Sequence, residues 1–122
     1  MSVLLFVYIL NATLLLLHEI ESGYEKEWEL LKLPGGITGF LLMHIPIILL
    51  LFWGLIELYR QTTTGVVIGV VAGLGGLIPF VIHKLMVKKA GHFDKPISNV
   101  IIILNVVTGL VTMVLAIGYL IG

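Results

Sequence analysis

Residues 64–82 of the chain read TGVVIGVVAGLGGLIPFVI, a stretch without a single charged side chain. An α-helix needs about 20 predominantly apolar residues to cross the hydrocarbon core of a bilayer, so this stretch predicts a membrane span. Within it, Gly65, Gly69 and Gly73 recur at every fourth position and therefore share one face of the helix. We expect this glycine stripe to form a close helix–helix contact, either with another span or with a second copy of the chain.

Three further stretches are long and apolar enough to cross a membrane, or nearly so. With the glycine-rich stretch, the predicted spans cover about residues 2–19, 37–58, 64–83 and 97–121. Of the 122 residues, 59% are hydrophobic and only 11% are charged, whereas soluble domains carry about 25% charged residues. The predicted fold class is therefore all-α. We expect one integral membrane domain over residues 1–122, a four-helix bundle with an interfacial amphipathic segment between spans one and two.

The charge balance and the residue types exclude several classes of protein. Seven Lys and Arg residues are matched by seven Asp and Glu residues, so the chain has no basic excess with which to bind nucleic acid. It has no cysteine, which excludes disulfides and cysteine-ligated zinc. The expected partners are membrane lipids, together with a second copy or a partner subunit that packs on Gly65, Gly69 and Gly73.

The basic residues gather on one side of the predicted membrane domain. Six lysines lie in the connections that follow spans one and three, whereas the opposite side has only Arg60, beside Glu57. Because basic residues near span ends favour the cytoplasm, we expect the lysine-rich connections to be cytoplasmic and both termini to lie outside. The lysines are Lys26, Lys32, Lys84, Lys88, Lys89 and Lys95.

All four histidines are predicted on this lysine-rich side. His18 ends span one, and His44 lies about two turns inside span two. His83 ends span three, and His92 follows it in a connection that also holds Asp94. Ionisable groups at membrane depth are costly and usually face a bundle interior or a cavity, so these histidines are candidates for a functional site. Whether His92 and Asp94 join that site is left open.

An acidic segment follows His18. If the helix continues, His18, Glu21 and Glu25 lie on one face of it. Two or three histidines with a carboxylate suit zinc, or iron where coordination positions stay open. If the protein is an enzyme, Glu21 and Glu25 are its candidate catalytic carboxylates, with Glu25 moving protons. The alternative is that the histidines bond one another or backbone carbonyls and serve packing alone. The predicted metal ligands are His18, Glu21, His44 and His83.

Two short motifs carry a resemblance to other proteins. The chain reads HEIE at residues 18–21 and LPGGI at residues 33–37. In these motifs it resembles a group of small uncharacterised prokaryotic membrane proteins with four predicted spans, which carry His-Glu-x-acidic after span one and Pro-Gly-Gly before span two. It is more distantly similar to membrane proteins named for a His-x-x-Glu-Glu motif, but has Ser22 at the second glutamate. The resemblance implies a four-span fold in a prokaryotic plasma membrane and no assigned activity.

Three classes of function remain open on the sequence. The leading hypothesis is a cytoplasmic-side metal or ligand site. In an enzyme, that site would activate water for hydrolysis, or form an oxidative iron centre, and act on a lipid-like substrate. A non-catalytic accessory subunit would instead dock into a larger complex through the glycine stripe and its aromatic residues. A small transporter would need a polar route that links Asn11 and Asn105 to the cytoplasmic cluster.

Overall fold

The computed structural model describes residues 1–85 and 95–122, so His92 and Asp94 lie outside the described residues. Every regular element within these two ranges is a helix, which confirms the predicted all-α class. The elements are α1 (Ser2–Tyr24), α2 (Glu27–Leu30), α3 (Gly36–Tyr59), α4 (Thr63–Gly75), α5 (Ile78–Leu85) and α6 (Pro96–Ile121).

Four helical segments are long and apolar enough to cross a membrane, and each lies over one of the predicted spans. They are Ser2–Tyr24, Gly36–Tyr59, Thr63–Lys84 and Pro96–Ile121. Large apolar side chains on their outer faces, such as Phe6, Leu49 and Val114, are more than 60% exposed. Apolar outer faces suit a bundle whose solvent is lipid. The short helix α2 lies between spans one and two, where the interfacial segment was predicted.

The glycine stripe of α4 packs inside the chain. A Cβ atom built on Gly65 would lie 2.5 Å from the backbone of α3 at Glu57, and one on Gly73 would lie 2.7 Å from the carbonyl oxygen of Gly109 in α6. At Gly69, the nearest atom is the Cβ of a residue of α6, at 3.5 Å. Small residues thus let α4 approach both neighbouring spans closely, in the manner of small-residue contacts in membranes.

A layer of buried amide and hydroxyl groups joins three of the spans. The side chain of Asn11 in α1 donates to the carbonyl oxygen of Ala72 in α4 at 2.8 Å. Its Oδ1 accepts a hydrogen bond from Asn105 of α6 at 2.8 Å and one from Thr108 at 3.1 Å. Such bonds stabilise membrane helix bundles by about 0.6–2 kcal/mol each. This layer fixes the heights of α1, α4 and α6 relative to one another.

The third span is interrupted just before Pro79. Helix α4 ends at Gly75 and α5 begins at Ile78. Pro79 has no N–H with which to bond the carbonyl of Gly75, which favours a break in the helix at this turn. The final turn of α5 then carries His83 to the lysine-rich end of the bundle.

The close contact between α4 and α6 leads to a prediction with a control on the same helix. A Cβ atom on Gly109 would lie 2.6 Å from the carbonyl oxygen of Gly73, whereas one on Gly118 would have no neighbour within 4 Å. Gly109→Ala should lower the free energy of unfolding by about 1–3 kcal/mol, because two backbones must move apart. Gly118→Ala should leave it unchanged or raise it by up to about 1 kcal/mol. Denaturation in mixed micelles, followed by circular dichroism, measures both, and equal losses would contradict this packing.

Candidate functional site

A sharp turn after α1 brings an acidic side chain back to the end of that helix. Helix α1 ends at Tyr24, and Lys26 adopts a left-handed backbone conformation with φ of 53° before α2 begins. Glu27, the first residue of α2, is buried, and its Oε2 lies 3.8 Å from Nε2 of His18. A continuous helix, as considered from the sequence, would have pointed Glu27 away from His18. The turn at Lys26 reverses that direction.

Three potential metal ligands from three helices converge at this point. His18, Glu27 and His83 each offer one ligand atom, and these atoms all lie within 4.8 Å of one another. The rings of His18 and His83 are 5.2 Å apart between their centroids. Two ligand atoms bound to tetrahedral zinc at about 2.0–2.2 Å lie roughly 3.4 Å apart, so small side-chain movements would complete the geometry. Two histidines and a carboxylate form the donor set of many catalytic zinc and non-haem iron(II) sites.

Ser22 holds the carboxylate of Glu27 in place. Its hydroxyl, which is buried, donates to Oε2 of Glu27 and lies 3.3 Å from Nε2 of His18. In metal sites, hydrogen bonds of this kind fix the orientation of the side chains that bind the metal. Burial raises the pKa of the Glu27 carboxyl above its usual value, and the bond from Ser22 offsets part of that effect. A cation bound beside Glu27 would favour its ionised form.

A second acid–histidine pair lies between α1 and α3. Nε2 of His44 is 2.5 Å from Oε2 of Glu19, and Nδ1 of His44 is 2.6 Å from the carbonyl oxygen of Phe40. A carbonyl oxygen can only accept, so Nδ1 carries a hydrogen and donates it to Phe40. The other ring nitrogen faces the carboxylate of Glu19, so the ring of His44 links α1 to α3.

The structure brings together some of the residues predicted from the sequence and separates others. His18 and His83 meet, as described. The carboxylate of Glu21 accepts a hydrogen bond from the hydroxyl of Ser98, which joins α1 to α6. Glu21 therefore contacts Ser98 of α6, whereas Glu27 contacts Ser22.

The other predicted residues also have defined places. His44 pairs with Glu19 and is not a member of the group of three potential ligands. Glu25 follows α1 directly and is half-buried at the turn. Sequence reasoning missed Glu19 and Glu27. The glycine at position 23 was the one available signal, since it weakens the helix just before the turn that redirects Glu27.

A cavity of about 420 Å³ extends from these groups into the membrane domain. Its ionisable lining residues are His18, Glu19, Glu27 and His44, and the remaining walls are apolar side chains, glycine and proline from α1, α3, α4 and α5. Among the described residues that line this cavity, neither Asn11 nor Asn105 appears.

The turn at Lys26 provides a test of how Glu27 is placed. A non-glycine residue in the left-handed region costs about 1–2 kcal/mol, so Lys26→Gly should raise the free energy of unfolding by up to about 1 kcal/mol once the flexibility of glycine is counted. Glu25→Gly is the matched control, because Glu25 has an ordinary φ of −83° and should lose stability on the same change. Thermal unfolding in detergent compares the two variants. A loss of stability in Lys26→Gly equal to that in Glu25→Gly would contradict the turn.

Comparison with known proteins adds a family and no activity. No curated protein and no solved structure matches the chain. One family model, described as a family of unknown function (DUF6713), matches residues 4–119. This agrees with the resemblance to uncharacterised proteins noted in the sequence. The match includes most of each of the four spans and every residue of the candidate site, and the chain therefore belongs to the family of unknown function DUF6713.

Proposed function

We propose that this protein binds a divalent transition-metal ion, zinc or iron(II), through His18, Glu27 and His83. The observation that carries the proposal is the convergence of three ligand atoms from α1, α2 and α5 within 4.8 Å. Burying a carboxylate is unfavourable unless a proton or a cation compensates its charge. Three side chains leave one or more coordination positions for water or substrate, as in catalytic rather than structural sites.

The surrounding groups favour an enzyme that acts on a lipid-like molecule. A metal ion in such a site activates a water molecule or polarises a carbonyl oxygen. Ser22 keeps Glu27 oriented, and Glu19, whose carboxylate contacts His44 and lines the same cavity, would accept the proton that a metal-bound water loses. The apolar walls of the cavity exclude bulk water from the reacting groups. Zinc at this position favours hydrolysis, and iron(II) favours an oxidative reaction.

The metal proposal is tested by the metal content of the purified protein. Prepared in mild detergent without chelators and analysed by elemental mass spectrometry, the protein should carry near-stoichiometric zinc or iron. Glu27→Gln should lose most of this metal, since an amide is a poor ligand for either ion. Glu21→Gln is the matched control, because Glu21 also accepts a hydrogen bond from a serine but should retain the metal.

Two further variants and one outcome complete that test. His18→Ala and His83→Ala should each lose the metal while the protein remains monodisperse. A wild-type protein that contains no metal and takes up neither added zinc nor added iron(II) would overturn the proposal. Loss of metal in Glu21→Gln with retention in Glu27→Gln would instead favour the ligand set expected from the sequence.

We infer that the candidate site faces the cytoplasm of a prokaryotic cell and that both termini lie outside. The supporting observation is the asymmetry of charge between the ends of the bundle. The site shares its end with Lys26, Lys32 and Lys84, whereas at the opposite end Arg60 pairs with Glu57 at 3.2 Å. Lysines and arginines near span ends favour the cytoplasmic side.

The orientation can be measured directly because the chain has no cysteine. Single cysteines would replace Glu29 in α2 and Thr63 at the start of α4, which are both exposed and lie at opposite ends of the bundle. A membrane-impermeant maleimide added to intact cells should label Thr63→Cys and should reach Glu29→Cys only after permeabilisation. The reverse pattern would place the site outside.

A further inference from the structure

We propose that the cavity holds the hydrocarbon chain of a single fatty acyl ligand, whose carboxylate or carbonyl head lies at His18, Glu27 and His83. The inference names the substrate class of the same site, so its head-group contact rests on the proposed function. The cavity itself rests on separate observations of its shape and lining.

The lining of the cavity has the polarity pattern of an amphiphile. The four ionisable residues of the lining lie at the lysine-rich end of the cavity. The walls beyond them are branched apolar side chains such as Ile47 and Leu51 of α3 and Ile68 of α4. The volume of about 420 Å³ falls within the range of about 300–1,000 Å³ that is usual for small-molecule sites. A ligand that fills it must therefore be apolar over most of its surface and polar at one end.

The cavity is deep enough for an extended chain. His44 and Leu51 both line it, and seven residues (51 − 44) of α3 separate them, which corresponds to roughly 10 Å along the helix axis. Ile68 marks a similar depth on the facing helix, because its side chain lies beside Gly54 of α3. The apolar part of the ligand thus runs along the bundle, parallel to the chains of the surrounding lipid.

Physical chemistry disfavours leaving such a space to water or empty. An apolar cavity offers water no hydrogen-bond partners and stays dry. An empty cavity loses packing free energy in proportion to its volume. The nearest abundant molecules that are apolar along their length are the acyl chains of the bilayer. Because bilayer and cavity are similarly apolar, a chain moves between them at little cost, and the head group decides which ligand stays.

The binding test uses dodecanoate, a saturated fatty acid, with the purified protein in lipid nanodiscs. A Cβ atom on Gly75 would lie 3.8 Å from Leu15 and clash with nothing, so Gly75→Leu should extend into the cavity and fill part of it. We expect this variant to bind isotopically labelled dodecanoate about tenfold to a hundredfold more weakly than wild type. Gly118→Leu adds the same side chain where there is no neighbour within 4 Å and should bind as wild type does.

Head-group and metal controls separate the two proposals. Dodecyltrimethylammonium has the same chain with a cationic head and should not compete with dodecanoate. Metal content is measured in every variant, and Gly75→Leu should keep its metal while it loses dodecanoate. A metal-free wild type that still binds dodecanoate in the cavity would overturn the proposed function alone. Equal dodecanoate binding by wild type and Gly75→Leu would overturn the acyl-chain site alone.

Photo-crosslinking of the unaltered protein keeps the proposal testable if Gly75→Leu does not fold. A fatty acid with a photoreactive group at the end of its chain should label residues at the deep end of the cavity, around Leu51 and Ile68. Labelling confined to lipid-facing residues such as Leu49 and Val114 would overturn the proposal. Mass spectrometry of the lipids that copurify with the protein then shows whether the natural source is a free fatty acid or a phospholipid.

Discussion

The backbone contact between α4 and α6, at Gly73 and Gly109, is the constraint on which the rest of the structure depends. A side chain on either glycine would meet the opposing carbonyl oxygen at about 2.6–2.7 Å, so the two helices pack this closely here because neither residue has a Cβ atom. The hydrogen bonds of Asn11 to Ala72 and Asn105 then fix the position of α1 along the bundle axis relative to α4 and α6. Since no hydrophobic effect drives helices together in lipid, close packing and polar bonds must supply this specificity.

The register of the bundle determines what meets at its lysine-rich end. Helix α5 follows α4 after the break at residues 76–77, so the position of α4 along the bundle axis determines where His83 lies. The position of α1 along the same axis determines where His18 lies. The hydrogen bond between Glu21 and Ser98 holds that end of α1 against α6. The two histidines therefore meet because of packing decided far from them. The geometry of the candidate site therefore depends on the contacts in the centre of the bundle.

The fold could be predicted from the sequence because the bilayer imposes a simple rule. Backbone polar groups must be satisfied within each segment, so long apolar stretches become helices, and hydropathy alone located all four spans. The spacing of Gly65, Gly69 and Gly73 likewise indicated a close contact, although not whether its partner was another span. The sequence also predicted that His18 and His83 lie on the same side of the membrane, because they end spans one and three, which run in the same direction.

The group of His18, Glu27 and His83 could not be predicted in the same way, because it depends on one local backbone conformation. Periodicity treats the acidic segment as a continuing helix, on which Glu21 and Glu25 share a face with His18. Lys26 in the left-handed region ends that periodicity and substitutes Glu27. Glycine or asparagine at this position would have predicted a left-handed backbone conformation, whereas lysine rarely adopts one. Glu19 was missed for a different reason, since its partner His44 belongs to another span.

The charges around the cavity connect the metal proposal with the acyl-chain proposal. Glu19 and His44 form an acid–histidine pair that lines the same cavity. Glu27 is buried beside two histidines, and its raised pKa reflects how unfavourable its isolated negative charge is.

A divalent cation bound there by Glu27 and two neutral histidines would leave one positive charge at the end of an apolar cavity. A carboxylate head would neutralise that remaining charge, whereas a cationic head would double it. The apolar walls make this difference large, because few polar groups are available to screen it.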